Sequence, residues 1–219
     1  MPTLFANTAD GYVQASGTSW TSARDATSGY ASTTSSRLTF FVRVGAFPGR
    51  GGGSLYIVQR TFMHFNTSGV SVAPSEAILK IYGYSQSSAD IFAVKSTHGT
   101  SVASGDFDAI AGWDNSGVDN SSNVTKYSDE IASWDTSDYN EITLNATARS
   151  DMASVDDFQI CIMEADYDLP NNTPSVVTDV GIGAYTANWT GTDFDPKIDY
   201  TEGTATAVSH NATFFGTNF

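Results

Sequence analysis

The chain has 219 residues, 40% of them hydrophobic and 12% aromatic, with 24 acidic residues against 10 basic ones and a formal net charge of −14. That length and apolar content suffice for one sizeable core, and all-β sandwiches commonly form a single domain at this size. The negative balance argues against a phosphate-binding surface, because affinity for nucleic acid depends on Lys and Arg releasing counterions. Nucleic acid is therefore not an expected partner. Residues 1–13 have neither a basic region nor a long apolar run, and no later run is long enough to span a bilayer. The expectation is a protein made in a host cytoplasm, without a signal peptide and without a membrane partner.

Residues 3–14, with Leu4, Tyr12 and Val13 around Asn7-Thr8-Ala9-Asp10-Gly11, read as a first short strand. Residues 16–36 are dominated by Ser, Thr, Gly and Ala, which predicts a long loop or a meandering edge strand pinned by Trp20 and Tyr30. Residues 37–46 (RLTFFVRVGA) form a strand, and the Gly-rich run after it turns the chain back. That run lacks a following Lys-Ser/Thr, so it is a hairpin loop rather than a phosphate loop. In residues 55–65 apolar and aromatic side chains fill both parities, the pattern of a strand covered on both faces. Asn66-Thr67-Ser68-Gly69 is turn chemistry. Residues 77–84 then alternate, with Leu79 and Ile81 on one face and Lys80, Tyr82 and Tyr84 on the other.

A strand follows at 91–94. Residues 96–123 read as a long surface excursion anchored by Phe107, Ile110 and Trp113. Tyr127, Ile131 and Trp134 stand at helical spacing behind an acidic turn and predict a short helix over 127–134. Residues 139–148 form a strand, 150–157 a helical turn, and 158–165 (FQICIMEA) another strand in which the lone Cys161 is a buried core thiol. Residues 167–178 form a loop, and strands at 180–185 and 198–201 close the sheets. About ten short strands separated by turn signals specify an all-β, antiparallel β-sandwich with long Gly/Ser/Asn/Asp loops and at most one or two short helical turns.

The run Arg60-x-Phe62-x-x-Phe65-Asn66-Thr67-Ser68, a small hydrophobic connector, and then Ser75-x-Ala77-x-Leu79-x-Ile81-Tyr82 resembles the DNRLRE-type modules. In those modules Arg-aromatic-Phe-Asp-Thr-Ser precedes an Ala-x-Leu strand. Arg60, Phe62, Phe65, Thr67, Ser68, Ala77 and Leu79 match, while Asn66 stands where the modules carry Asp. Residues 139–148 and the D-P-K-I-D-Y of 195–200 sit in the expected order. The resemblance spans residues 5–202 and implies a jelly-roll sandwich, with a domain over 1–202 and a C-terminal extension over 203–219. Such modules occur as carbohydrate-binding or wall-associated domains of bacterial proteins, and similar ones in bacteriophage virion proteins.

No catalytic constellation stands out. His64, His98 and His210 are far apart, no nucleophile elbow occurs, and the paired carboxylates Asp106/Asp108, Asp156/Asp157, Asp166/Asp168 and Asp193/Asp195 are not distinguished from one another. The expectation is a protein that is not an enzyme and has no cofactor beyond a structural Ca²⁺. Jelly-roll binding modules often hold that ion, and Asp166, Asp168, Asp193 and Asp195 are its candidates, at strand-loop junctions rich in oxygen ligands. Trp20, Trp113, Trp134 and Trp189 are the candidate glycan-stacking rings. Phe214, Phe215 and Phe219 make the C-terminal extension either an edge strand or a docking arm. With the resemblance, these features imply a structural virion protein of a bacteriophage, a capsid decoration or cement protein. It would act as a homo-oligomer on the major capsid protein or another virion protein. The alternative is a carbohydrate-binding module, or a receptor-binding tail or fibre domain that recognises a surface polysaccharide.

Overall fold

The computed structural model describes residues 1–49 and 51–204. In chain order its elements are β1 (Thr3–Phe5), β2 (Gly11–Gly17), α1 (Trp20–Arg24), β3 (Tyr30–Ser32), β4 (Arg37–Pro48), β5 (Ser54–Asn66) and β6 (Glu76–Ser87). There follow β7 (Ile91–Lys95), β8 (Tyr139–Thr143), α2 (Ala146–Met152), β9 (Asp157–Glu164), β10 (Thr178–Tyr185) and β11 (Lys197–Thr201). The fold is all-β and every strand pairing is antiparallel. No helix among the described residues is long and apolar enough to cross a membrane. Phe214, Phe215 and Phe219 lie outside the described residues.

Two long strands, β5 and β6, tie the layers together because each changes partner part-way along. β6 pairs with β11 and β8 over Glu76–Tyr82 and with β10 over Gly83–Ser87. β5 pairs with β4 over its first half and β9 over its second, with β2 alongside. One core forms where Leu79, Ile81, Ile142 and Ile198 meet Phe65, Ile160, Ile162 and Ile182. A second lies on the other face of β5 and β9, where Val58, Phe62, Cys161 and Met163 are covered by Trp20, Phe107, Ile110 and Leu169. The apolar residues at both parities of β5 are thus explained: the strand has a core on each side. Cys161 is fully buried, and burial pushes its thiol far above the usual range.

Four local expectations are corrected. Residues 16–36 do contain an edge strand, β3, paired with β2, but they also hold a helix, α1, because Ser19 caps it: Ser22 N donates to Ser19 Oγ at 3.2 Å, and Ser19 N to Ser22 Oγ at 3.2 Å. Trp20 pins this segment, but Tyr30 does not, being 67% exposed. The strand starting at Tyr139 ends at Thr143 rather than at 148, since Asn145 caps α2 by accepting from Ala148 N at 3.0 Å. Residues 127–134 are not a helix. Their backbone is taken by the edge of β7 instead: Tyr127 N donates to Ala93 O at 2.8 Å, and Ile131 and Ile91 exchange bonds of 2.9 and 3.1 Å.

Candidate functional site

Two clusters of functional side chains stand out, one sealed and one open. The sealed one forms around Arg60, which β5 points into the second core. Its guanidinium makes a bidentate pair with Asp168, at 2.8 and 2.6 Å, and donates to Phe107 O at 2.8 Å and Arg24 O at 3.2 Å. Arg24, from α1, donates to Asp168 O at 2.6 Å, Asp25 Oδ1 at 2.6 Å and Leu169 O at 3.2 Å. The Trp113 ring lies 4.0 Å from the Arg60 guanidinium carbon and 4.5 Å from that of Arg24. Burial pulls the Arg24 guanidinium down, opposed by the charges of Asp168 and Asp25, and burial pushes Asp25 up despite Arg24.

Glu164, at the end of β9, organises the loop that delivers Asp168. Its carboxyl accepts from the N–H groups of Asp166, Tyr167 and Asp168 at 2.9, 2.7 and 2.9 Å. Burial pushes it up to about 7 against the pull of those three donors, with the Asp168 charge adding to the rise. Arg24, Arg60, Glu164 and Asp168 are all fully buried. The Arg60–Asp168 arrangement has two charges, two parallel bonds and backbone carbonyls for the remaining donors, which is what makes a buried pair tolerable. It fastens the 96–123 excursion, α1 and the loop after β9 onto β5, and presents no group to a substrate. Arg60 therefore acts as a tether.

The open cluster covers the solvent side of β4, β10 and β6. On β4, the Arg43 guanidinium lies 4.1 Å from the Phe40 ring and 5.2 Å from the Phe47 ring, and it pairs with Asp179 of β10 at 2.8 and 3.1 Å. Glycines make room for these rings, since a Cβ at Gly45 would meet Phe47 and one at Gly181 would meet Phe40. Further along, Tyr185 of β10 contacts Tyr82, Tyr84, Trp189 and Phe194 at centroid distances of 5.5, 5.9, 4.8 and 4.7 Å. Tyr139 of β8 extends the group through Tyr82 at 5.2 Å, and Arg37 and Lys197 cap its ends over Tyr84 and Tyr139, each at 4.2 Å. All these rings are half-buried. Most pairs are edge-on, at interplanar angles of 78° to 90° for Tyr84–Tyr185, Tyr82–Tyr139, Tyr82–Tyr185 and Tyr185–Trp189. The result is a herringbone surface rather than a flat floor.

Of the four candidate tryptophans, only Trp189 belongs to this surface. Trp20 is buried with its N–H given to Asn171 Oδ1 at 2.9 Å, and Trp134 is buried with its N–H on Gly183 O at 3.2 Å. Neither can stack a ligand. Trp113 is half-buried beneath the two arginines. Among the Ca²⁺ candidates, both Asp168 oxygens are taken by Arg60, so Asp168 is not available as a metal ligand. Asp166 is exposed, and its carboxyl is raised by burial of its surroundings and by the charge of Asp90. Asp193 is exposed while Asp195 is buried, with one oxygen lacking a hydrogen-bond partner. Among the described residues, no group of three or more His, Cys, Asp or Glu converges to hold a metal.

The surface includes residues that the sequence did not single out: Phe40, Arg43, Phe47, Tyr139, Tyr185 and Phe194. The available signal was the outward parity of Tyr82 and Tyr84. No protein-family model matches the chain, and no curated protein matches it.

Proposed function

We propose that the chain is a non-enzymatic structural protein of a bacteriophage particle, a decoration or cement protein that binds the shell as a homo-oligomer. It meets the major capsid protein or another virion protein through the solvent side of β4, β10 and β6. One observation carries the reading: the organised group of half-exposed side chains on the solvent side of β4, β10 and β6 is built of Tyr, Phe, Trp and Arg. Those residue types are enriched at the centres of protein interfaces and dominate their energetics. The charges of Arg60, Asp168 and Glu164, by contrast, are consumed by one another and by backbone. The virion context comes from the resemblance to DNRLRE-type modules of bacteriophage proteins.

The second reading, a carbohydrate-binding module or a receptor-binding fibre domain, is favoured by Trp189. Its half-exposed ring sits 4.8 Å from Tyr185 beside a loop. The edge-on packing weighs against it, since a sugar ring stacks on a flat face. The deciding experiment is co-sedimentation of the full chain with virions stripped of accessory proteins, run beside binding to the purified host surface polysaccharide. Shell binding lost in a Tyr185→Ala/Trp189→Ala variant supports the proposal. Polysaccharide binding with no shell binding overturns it in favour of the second reading.

A further inference from the structure

One side of the sandwich is open. Among the described residues β8 pairs with β6 alone, and the register decides which of its backbone groups that leaves unbonded. Leu144 N donates to Ala77 O at 2.9 Å and Gly83 N to Asp138 O at 3.0 Å, so residues 138, 140, 142 and 144 turn their backbone groups toward β6. Residues 139, 141 and 143 turn theirs away, into a cleft. Tyr139 N is satisfied by Asp138 Oδ1 at 2.7 Å. Glu141 and Thr143 are left with N–H and C=O directed at the cleft.

The opposite wall is formed by residues 128–135, whose Ser128 and Ile131 bond β7 and whose Asp135 reaches β8 only through the Asn140 side chain. Two adjoining concavities of about 800 and 310 Å³ run along β8 and share Ile131 and Glu141. The wall is held in place: Asn140 accepts from Asp135 N at 2.7 Å and donates to Asp135 O at 2.9 Å, and a Cβ at Gly83 would meet that carbonyl. The inner lining is mixed: Ile131 and the mostly buried Trp134 supply its apolar part, and Ser133, Asp135 and Asn140 its polar part. The rim is acidic, with Asp129, Glu130 and Asp138 exposed and outside any ion pair among the described residues. Two cations line the cleft: Lys80 is already shared by Glu141 at 2.8 Å and Asp199 at 3.2 Å, and Arg149 donates to Leu144 O at 2.9 Å.

We propose that this cleft binds an extended segment of a partner protein, added to β8 as a further strand, in which Lys or Arg alternates with apolar residues. Period-two geometry sets that alternation. A residue opposite Glu141 projects its side chain to the acidic rim, and its neighbours project theirs toward Ile131 and Trp134. Main-chain bonds to Glu141 and Thr143 supply affinity and the alternate side chains supply selectivity, the usual division in strand addition. Charge argues for a different protein rather than a second copy, since this chain carries −14 overall. The cleft meets the aromatic face only at Tyr139, and the inference does not rest on the proposed shell contact.

The test uses the full chain and a labelled, end-blocked peptide of alternating lysine and valine, read by fluorescence anisotropy at moderate salt. Two control peptides replace every lysine by glutamate or every valine by proline. The proline peptide keeps the charge but cannot form a strand. The expected result is saturable binding of the lysine–valine peptide, at least about tenfold weaker for both controls, with amide-exchange protection appearing at Glu141 and Thr143. Thr143→Pro should abolish binding without loss of a β6 bond, because that N–H faces the cleft. Asp129→Lys/Glu130→Lys, at two exposed positions, provides an independent variant and should weaken binding by a similar factor. Equal affinity for the lysine–proline peptide, or protection confined to other strands, overturns the proposal. So does unchanged binding by a folded Thr143→Pro protein or by the double-lysine variant.

Discussion

The Arg60 cluster and the aromatic face use similar chemistry, cations beside rings, in opposite settings. Under the second core, Arg24 and Arg60 lie against Trp113 and Phe107 with their donors spent on Asp168, Asp25 and main-chain carbonyls. On the solvent side of β4, β10 and β6, Arg37 and Arg43 lie against Tyr84, Phe40 and Phe47, Arg43 half-exposed and Arg37 exposed. Burial decides what such a pair does. A sealed cation with all donors satisfied fixes the fold, whereas a half-exposed one remains available to a partner whose arrival completes its desolvation.

The sharpest way to break the comparison is at the tether. Arg60→Met should cost about 3–5 kcal/mol in urea unfolding, because it strands the Asp168 carboxylate in a dry site. A loss below about 1 kcal/mol would mean that solvent reaches this cluster and that it is not sealed. On the open face, Tyr185→Ala/Trp189→Ala should weaken shell binding by about tenfold or more while costing only about 1–2 kcal/mol of stability. If the stability loss matched that at Arg60, the rings would be a third core and not a contact surface.

Acidity sharpens the contrast further. Glu164 and Asp10 are held above their unfolded values, up to about 7 and about 8, in both cases mainly by burial. In the window between the unfolded and folded values the native state holds more protons than the unfolded chain, so these carboxyls make stability fall as pH rises. His98 acts oppositely: burial lowers it to about 4, so its contribution makes stability rise with pH from about 4 to its unfolded 6.5 and then levels off. Between pH 6.5 and about 8 only the carboxyl effect remains, and urea midpoints should decline across that interval. Glu164→Gln should flatten the slope whatever it does to the absolute midpoint. The smallest effect belongs to the surface: Lys80→Met should cost less than about 1 kcal/mol although Lys80 bridges two carboxylates, because all three side chains meet solvent.

The strands were legible because their signal is local. Residues 55–65 showed apolar groups at both parities, and β5 does have a core on each face. The helical spacing of Tyr127, Ile131 and Trp134 misled because those side chains are held by distant groups. Tyr127 donates to Asp151 at 2.6 Å, Trp134 to Gly183 O, and the backbone between them bonds β7. α1 was hidden because its capping box uses Ser22 where Glu or Gln is the readable sign. Outward Tyr82 and Tyr84 were visible, but their assembly with Tyr185, Trp189 and Phe194 needs two stretches about a hundred residues apart brought together. The partner of Arg60 lies 108 residues away, and nothing in the periodicity of either segment marks the pairing.

The first strand of the fold pairs with the last one described: β1 lies against β11, with Thr3 Oγ1 donating to Asp199 Oδ1 at 2.6 Å. During synthesis, β6 emerges with its Glu76–Lys80 edge unoccupied, and β1 has no neighbour until Lys197–Thr201 leaves the ribosome. Pairings of such long sequence separation form late and slowly. The newborn chain must therefore keep an open sheet edge until residues 197–201 emerge, and its yield in a cell should depend on translation speed and chaperone supply more than on the stability of the finished sandwich.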